Sequence, residues 1–299
     1  MNLLTRSSFE VICKFHRLRR EFPGRWRLGI WLNSKRERLK ELPARARKIW
    51  RQTYLFIDPK DYYDSNKYLV WGLNPAEPIA NVICQLVGEG DCMLDIGANV
   101  GIHSALGSVL AGKEGAIYSF EALPDTFERL RVLESRNRFR NIKAWNVAVS
   151  DKDGFVDIFP GPPDHTGTTS LRNVDEKGAG GIKVSARRLD SLIDDIPRVK
   201  LIKIDVEGAE MLALRGMKDL INRDQPYVLA ELTDRYLREL GSSKEEVVGY
   251  FKALGYELYR VENTITQYAH TQEFQCDILC VPPGAKPIEW KSNISLPIH

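Results

Sequence analysis

Short apolar runs and longer stretches of helical spacing alternate along this chain. Residues 93–96, 117–120, 142–147, 201–205 and 227–231 are short, largely apolar runs and read as strands. Between them, residues 103–110, 125–137 and a stretch beginning at Ala209 repeat apolar positions every three or four residues, which predicts helices. Pro124 and Asp125 suit a helix start, with a fixed φ and an acid in the first turn. Such alternation implies parallel strands joined by right-handed crossovers. A helix over 244–254 and strands over 256–261 and 277–281 follow. The segment GFVDIF (154–159) alternates like an exposed strand and could pair as a hairpin with 182–185. Upstream lie an apolar run at 54–57, the aromatic residues Tyr62, Tyr63, Tyr68 and Trp71, and a helix over about 79–87. That aromatic segment could pack on the core or lie over the mouth of a site. The expected organisation is a basic arm (1–52), an aromatic-rich lead-in (53–88), an α/β domain (89–282) and a proline-bearing tail (283–299) that wraps the surface.

Charge changes the picture at one end only. The net charge is +3, yet fifteen Lys or Arg against four Asp or Glu fall in residues 1–52, so the remainder is acidic. The arm interleaves its cations with Phe, Leu and Trp, and Pro23, Gly24 and Pro43 break it into pieces. Three readings suit this mixture: an interfacial arm on an anionic membrane surface, a nucleic-acid contact as the lesser option, or a helical arm packing Leu28, Trp31, Leu32 and Leu39 on its own domain. With no run near the roughly 18 apolar residues that cross a bilayer and no apolar secretion segment, the expectation is a cytoplasmic protein, peripheral at a membrane if the arm binds one. Five cysteines lack Cys-x-x-Cys or zinc spacing and read as reduced structural thiols, with Cys276 and Cys280 on one strand face. The five histidines form no helix pair, and no metal site is expected.

Candidate chemistry is concentrated in residues 92–121, CMLDIGANVGIHSALGSVLAGKEGAIYSFE. A strand ends in Asp95, a loop with Gly97, Asn99 and Gly101 opens a helix, and a second strand ends in Glu121. The positions matching Gly-x-Gly-x-x-Gly are Gly97, Asn99 and Ile102, so a dinucleotide fingerprint is excluded, and no Gly-Lys-Ser/Thr follows to make a phosphate loop. What remains suits a ligand with an amino acid moiety: Asp95 for its ammonium group, the helix start for its carboxylate, and Glu121 for a ribose diol. S-adenosylmethionine carries all of these groups.

Five segments in order strengthen this: DIGANVG (95–101), SFEALP (119–124), NVAVSDKDG (146–154), GTTSL (167–171) and LIKIDVEGAE (201–210). With them the chain resembles the FkbM-type S-adenosylmethionine-dependent methyltransferases over roughly residues 77–235. The family usually has Glu-Pro-Asn-Pro where this chain has Glu121-Ala122-Leu123-Pro124, a departure beside the ribose that keeps the acid. The resemblance implies a Rossmann-like class I methyltransferase fold, a seven-stranded mostly parallel sheet whose last strand runs antiparallel. It also implies adenine contacts around Asn146, Ala148 and Asp151, and transfer to a hydroxyl of a small molecule, sugar or lipid-linked glycan.

Asp95 and Asp205 end strands that would be neighbours, so their loops should share one crevice at the carboxyl edge of the sheet. Methyl transfer needs in-line alignment and a group to take the hydroxyl proton. Asp205 is the first candidate for that base. Glu207 follows on the turn, where it could instead pair with Lys203 or Arg215, and Glu210 could cap its helix. The loop 160–170, rich in hydroxyls and bearing His165, reads as a substrate lid. Two other readings stay open: an RNA or protein methyltransferase guided by the basic arm, and a cofactor-binding scaffold without turnover.

Overall fold

The computed structural model describes residues 10–14, 25–50, 53–61, 68, 73, 75, 77–162, 165–171, 180–269, 275–292 and 294. Tyr62, Tyr63 and Trp71, with the whole of the basic stretch 15–24, lie outside the described residues.

The arm contributes helices α1 (Arg25–Asn33) and α2 (Arg36–Lys40), then an antiparallel hairpin of β1 (Arg45–Trp50) and β2 (Thr53–Ile57). This hairpin crosses the boundary expected after residue 52, and its first strand was not legible as one. Its inward positions include Arg47, only 4% exposed, whose guanidinium is bonded to Glu10 and to the Pro43 carbonyl. An inward arginine disguises the alternation of RARKIW. Leu32, Leu39, Ile49, Leu55 and Ile57 join the same buried cluster as Ala105 and Leu106 of the main domain, with Leu28 packed partly against it. Trp31, Ile30 and Val11 stay 37%, 52% and 65% exposed, so the arm packs on its own domain while leaving these large apolar side chains outside.

The main domain runs α3 (Pro78–Leu86), β3 (Cys92–Ile96), α4 (Ile102–Ala111), β4 (Ala116–Phe120), α5 (Pro124–Arg136) and β5 (Ile142–Trp145). Next come β6 (Ala148–Val149), β7 (Gly154–Ile158), β8 (Ile182–Arg187), β9 (Val199–Ile204), α6 (Glu210–Gly216) and α7 (Lys218–Asp224). It closes with β10 (Tyr227–Thr233), α8 (Asp234–Glu239), α9 (Lys244–Ala253), β11 (Glu257–Val261), β12 (Ile265–Gln267) and β13 (Gln275–Val281). Every residue of β3 is buried, as a central parallel strand covered on both faces requires. α5 begins with Pro124 and Asp125 and ends with Arg136, and buries Leu130 and Leu133. The hydroxyl of Ser243 accepts the Glu246 N–H at 3.1 Å and caps α9.

The principal sheet has the order β12-β11-β13-β10-β9-β3-β4-β5. β3, β4, β5, β9 and β10 are parallel, and β13 runs antiparallel between β10 and β11. This is the expected class I arrangement with one correction, since β12 adds an eighth strand at the edge. β7 and β8 form the expected antiparallel hairpin, joined by β6 in a separate small sheet. The helix expected from Ala209 is broken at Met217, and the second piece starts where Asp190 Oδ1 accepts the N–H groups of Asp219 and Leu220 at 3.0 and 3.1 Å. Cys276 and Cys280 share one buried face of β13.

The order of strands reverses between β3 and β9, and their carboxyl ends open side by side.

Candidate active site

The loops leaving β3 and β9 are fastened to each other. Strand register sets Asp95 opposite Lys203, the Asp205 N–H donates to the Ile96 carbonyl at 3.0 Å, and Lys203 Nζ donates to the Gly97 carbonyl at 3.0 Å. Gly97 has a φ of 75°, and a Cβ there would lie 1.8 Å from the Asp205 carbonyl oxygen. At Gly101, with a φ of 88°, a Cβ would meet Leu130 and Leu133 of α5 at 2.5 and 2.7 Å. Both glycines therefore serve the packing of the loop on its neighbours.

A cavity of about 480 Å³ opens over these ends. Gly97, Asn99, Glu121, Ala148, His165, Asp205 and Glu207 of the expected site residues line it, as does His103. Asp95, Gly101, Asn146 and Asp151 are not among its lining residues. Asp95 is completely buried beneath the loop: Oδ2 accepts the Ser104 hydroxyl at 2.5 Å, the Ser104 and Ser119 hydroxyls are 2.7 Å apart, and Oδ1 lies 3.5 Å from Lys203 Nζ. The ammonium it faces here is that of Lys203. Asn146 donates to the carbonyls of Glu121 and Ala122 at 2.8 and 3.0 Å, so its side chain shapes the loop beside the cavity. Asp151 accepts the Ser150 hydroxyl at 3.3 Å.

Glu121 sits in the wall, 8% exposed, with Oε2 accepting the Asn99 N–H and Oε1 the Leu123 N–H, at 2.9 and 2.8 Å. Burial pushes its carboxyl up to about 7 despite those two donors. Two accepted bonds leave lone pairs on both oxygens for a further donor pair.

Also lining the cavity, Asp205, Glu207 and Glu231 have carboxylate oxygens within 4.8 Å of one another, the one group among the described residues spaced to hold a metal ion. Asp277 is paired in register with Glu231 across β10 and β13 and also lines the cavity. Burial, then the charges of Asp205, Asp277 and Glu207, push the Glu231 carboxyl up to about 9, and burial with Asp205 pushes Asp277 up to about 7. Lys203 supplies the opposing charge 3.1 Å from Asp205 Oδ2. Burial works against that ammonium, but Asp205 and Asp95 more than offset it and hold the group above its ordinary value.

The turn after β9 carries Glu207 at a φ of 53° and is fixed by Glu210, whose Oε1 accepts the N–H groups of Gly208 and Val206 at 3.0 and 3.4 Å. Glu210 thus fixes the turn leading into its helix and does not cap it, and Arg215 reaches Glu246 at 2.6 Å. The expected lid is tied down at its end: the Ser170 hydroxyl donates to the Glu207 carbonyl at 2.8 Å, and Ser170 bridges to Phe159. The His165 carbonyl accepts the Thr168 hydroxyl at 3.0 Å, closing the short turn Thr166–Thr168.

Lys203, Glu231 and Asp277 were missed as site residues from sequence. The signal for Lys203 was present: a lysine inside a central strand, flanked by Ile202 and Ile204 and two residues before Asp205, faces the same side as that acid. For Glu231 and Asp277 the signal appears only once β13 is inserted beside β10.

Comparison with known proteins agrees with this arrangement. The model of the methyltransferase FkbM domain matches residues 95–258. The chain is 27% identical over 162 residues to the hexuronic acid methyltransferase AglP of Haloferax volcanii, covering 54% of this chain and 63% of that protein. It is 26% identical over 166 residues to the 2-O-methyltransferase NoeI of Sinorhizobium fredii, covering 49% and 65%. It is 32% identical over 92 residues to a protein-L-isoaspartate O-methyltransferase of Methanocella arvoryzae, covering 30% and 49%. The chain thus spans less than two thirds of the length of each of these relatives.

Proposed function

Because the chain belongs to the FkbM methyltransferase family, we propose that it transfers a methyl group from S-adenosylmethionine to a hydroxyl of a sugar, either a small molecule or a lipid-linked glycan. The observation that carries this reading is the single cavity lined by the loop after β3, by Glu121 at the end of β4 and by Asp205 at the end of β9. Its walls suit the cofactor group by group. Glu121 retains acceptor capacity for a ribose diol, Phe120, Val147, Val149 and Ile158 offer an apolar slot for the purine, and α4 starts at Gly101 without a side-chain cap, so its N-terminus can receive a carboxylate. The bound cofactor would supply a methyl carbon activated by positive sulfur.

The protein's own residues would align the acceptor and take its proton. Asp205 is the proposed base, at the meeting point of both loops, with Glu207 and His165 lining the same cavity to orient the hydroxyls. The names of two relatives support a sugar acceptor, since one acts on a hexuronic acid and the other is a 2-O-methyltransferase. The test is transfer of labelled methyl to a panel of glycosides, with calorimetric titration of S-adenosylmethionine, S-adenosylhomocysteine and NAD run alongside. Cofactor binding without transfer to any hydroxyl would move the scaffold reading ahead.

The arm's part in this proposal is to hold a cytoplasmic enzyme at an anionic membrane surface, where a lipid-linked acceptor resides. Exposed Ile30 and Trp31 on α1, within a segment rich in cations, support it. An Ile30→Glu, Trp31→Glu variant should lose binding to phosphatidylserine vesicles; undiminished binding would remove the arm from the proposal.

A further inference from the structure

Lys203 touches both halves of the cavity. Its side chain is 6% exposed, and its three ammonium donors face three acceptors: the Gly97 carbonyl at 3.0 Å, Asp205 Oδ2 at 3.1 Å and Asp95 Oδ1 at 3.5 Å. Charged groups act on it from the neighbouring elements: Asp95 on β3, Glu121 at the end of β4, Asp205 on its own turn, Glu231 on β10 and Asp277 on β13.

The packing of β9 does not call for an ion here. Val199, Leu201, Ile202 and Ile204 are all buried and apolar, and buried ion networks are commonly replaceable by apolar side chains without loss of stability. The consequence of this network lies in what it holds. Gly97 belongs to the cofactor loop and Asp205 is the proposed base, so one ammonium fixes the distance between them.

We infer that Lys203 is a positioning residue of the methyl-transfer site, whose buried ammonium ties the cofactor loop at Gly97 to the Asp205 carboxylate and sets the charge that the methyl donor meets. The inference rests on the reading of the cavity as a methyl-transfer site, but its test needs no acceptor. The donor carries a sulfonium cation and the product a neutral thioether, so the two ligands report separately on charge and on shape.

The experiment is calorimetric titration of the full chain with S-adenosylmethionine and S-adenosylhomocysteine, using the parent protein, Lys203→Met, Lys203→Arg, and the double variant Asp95→Asn, Lys203→Met. Losing the tie to Gly97 should weaken homocysteine-product binding about tenfold in Lys203→Met, the scale of one charge-assisted hydrogen bond. The donor should weaken less, because a like charge has gone from the wall, so the donor-to-product preference moves toward the donor by about threefold or more. Lys203→Arg should restore the parental preference. The double variant removes a buried carboxylate with its partner and guards against failure to fold. It should keep the weakened product binding while the preference returns to parental, the charge change being balanced. Product affinity unchanged in Lys203→Met and in the double variant, or donor and product weakened by the same factor in Lys203→Met, would overturn the inference. A parent protein that binds neither ligand would remove the cavity reading itself, a separate and recognisable result.

Discussion

At the scale of single residues, the carboxylates divide by environment. Asp205 lies at the rim of the cavity beside an ammonium, whereas Glu121 is buried in the wall. Replacing Asp205 by Asn keeps shape and removes basicity, so turnover should fall by about 100-fold or more while product binding changes little, on the usual scale of proton-transfer catalysis. Turnover within a few fold of the parent would move the role to Glu207 or His165. Glu121→Ala should weaken product binding by roughly 10- to 100-fold, as expected for a hydrogen bond to a charged group. Because burial holds the Glu121 carboxyl near 7, the acceptor form is lost on acidification, and parental affinity should drop as pH falls below about 7. An affinity flat from pH 8 to 6 would contradict the diol role. The sequence made Asp205 and Glu121 legible because each ends an apolar run. It left Lys203 in view only as a local ion-pair partner, since two of the ammonium's three acceptors, Gly97 and Asp95, come from residues about a hundred positions away.

At the scale of elements, the alternation of strand and helix could be read directly because buried parallel strands require near-continuous apolar runs. What escaped were elements defined by distant partners. β1 is held by Glu10 against Arg45 and Arg47, and α7 begins on Asp190, and neither signal is local. The loop after β3 illustrates the same point. Its glycines were correctly singled out, but the neighbours that demand them come from the turn after β9 and from α5. Rank order follows from that difference. Gly97→Ala would push a Cβ against backbone, in a left-handed conformation, and should cost at least about 2 kcal/mol of stability. Gly101→Ala shares the unfavourable φ but meets the ends of leucine side chains, which can shift, so its cost should be smaller. Chemical denaturation of both variants measures this order. Equal losses would mean that the two loops are not as closely fastened as Asp205 and Gly97 indicate.

At the scale of the whole molecule, charge is segregated twice. Cations are concentrated in the arm, and the cavity is lined by Glu77, Glu121, Asp205, Glu207, Glu231 and Asp277 against one lysine. An acidic wall repels anionic acceptors, so neutral and amino sugars should be methylated well ahead of the matching uronic acid or of RNA in a competition assay, in contrast to the relative that acts on a hexuronic acid. Buried carboxylates in and beside this wall govern stability. Glu121, Glu210 and Asp277 are raised to about 7 and Glu231 to about 9, from ordinary values near 4 to 4.5. Between those limits the folded protein binds more protons than the unfolded chain, so stability falls as pH rises. Glu10 and Asp234 are lowered by their arginine and lysine partners and act in the opposite sense, their contribution vanishing only as pH drops below about 4. The melting temperature should therefore peak near pH 5 and decline steadily toward pH 9. Glu231→Gln, which removes the group with the widest window, should flatten the decline between pH 7 and 9 and leave the acid side unchanged. A parental melting temperature that rises from pH 5 to 8 would mean that these carboxylates are ionised in the folded protein, with a countercharge beyond Lys203 holding them so.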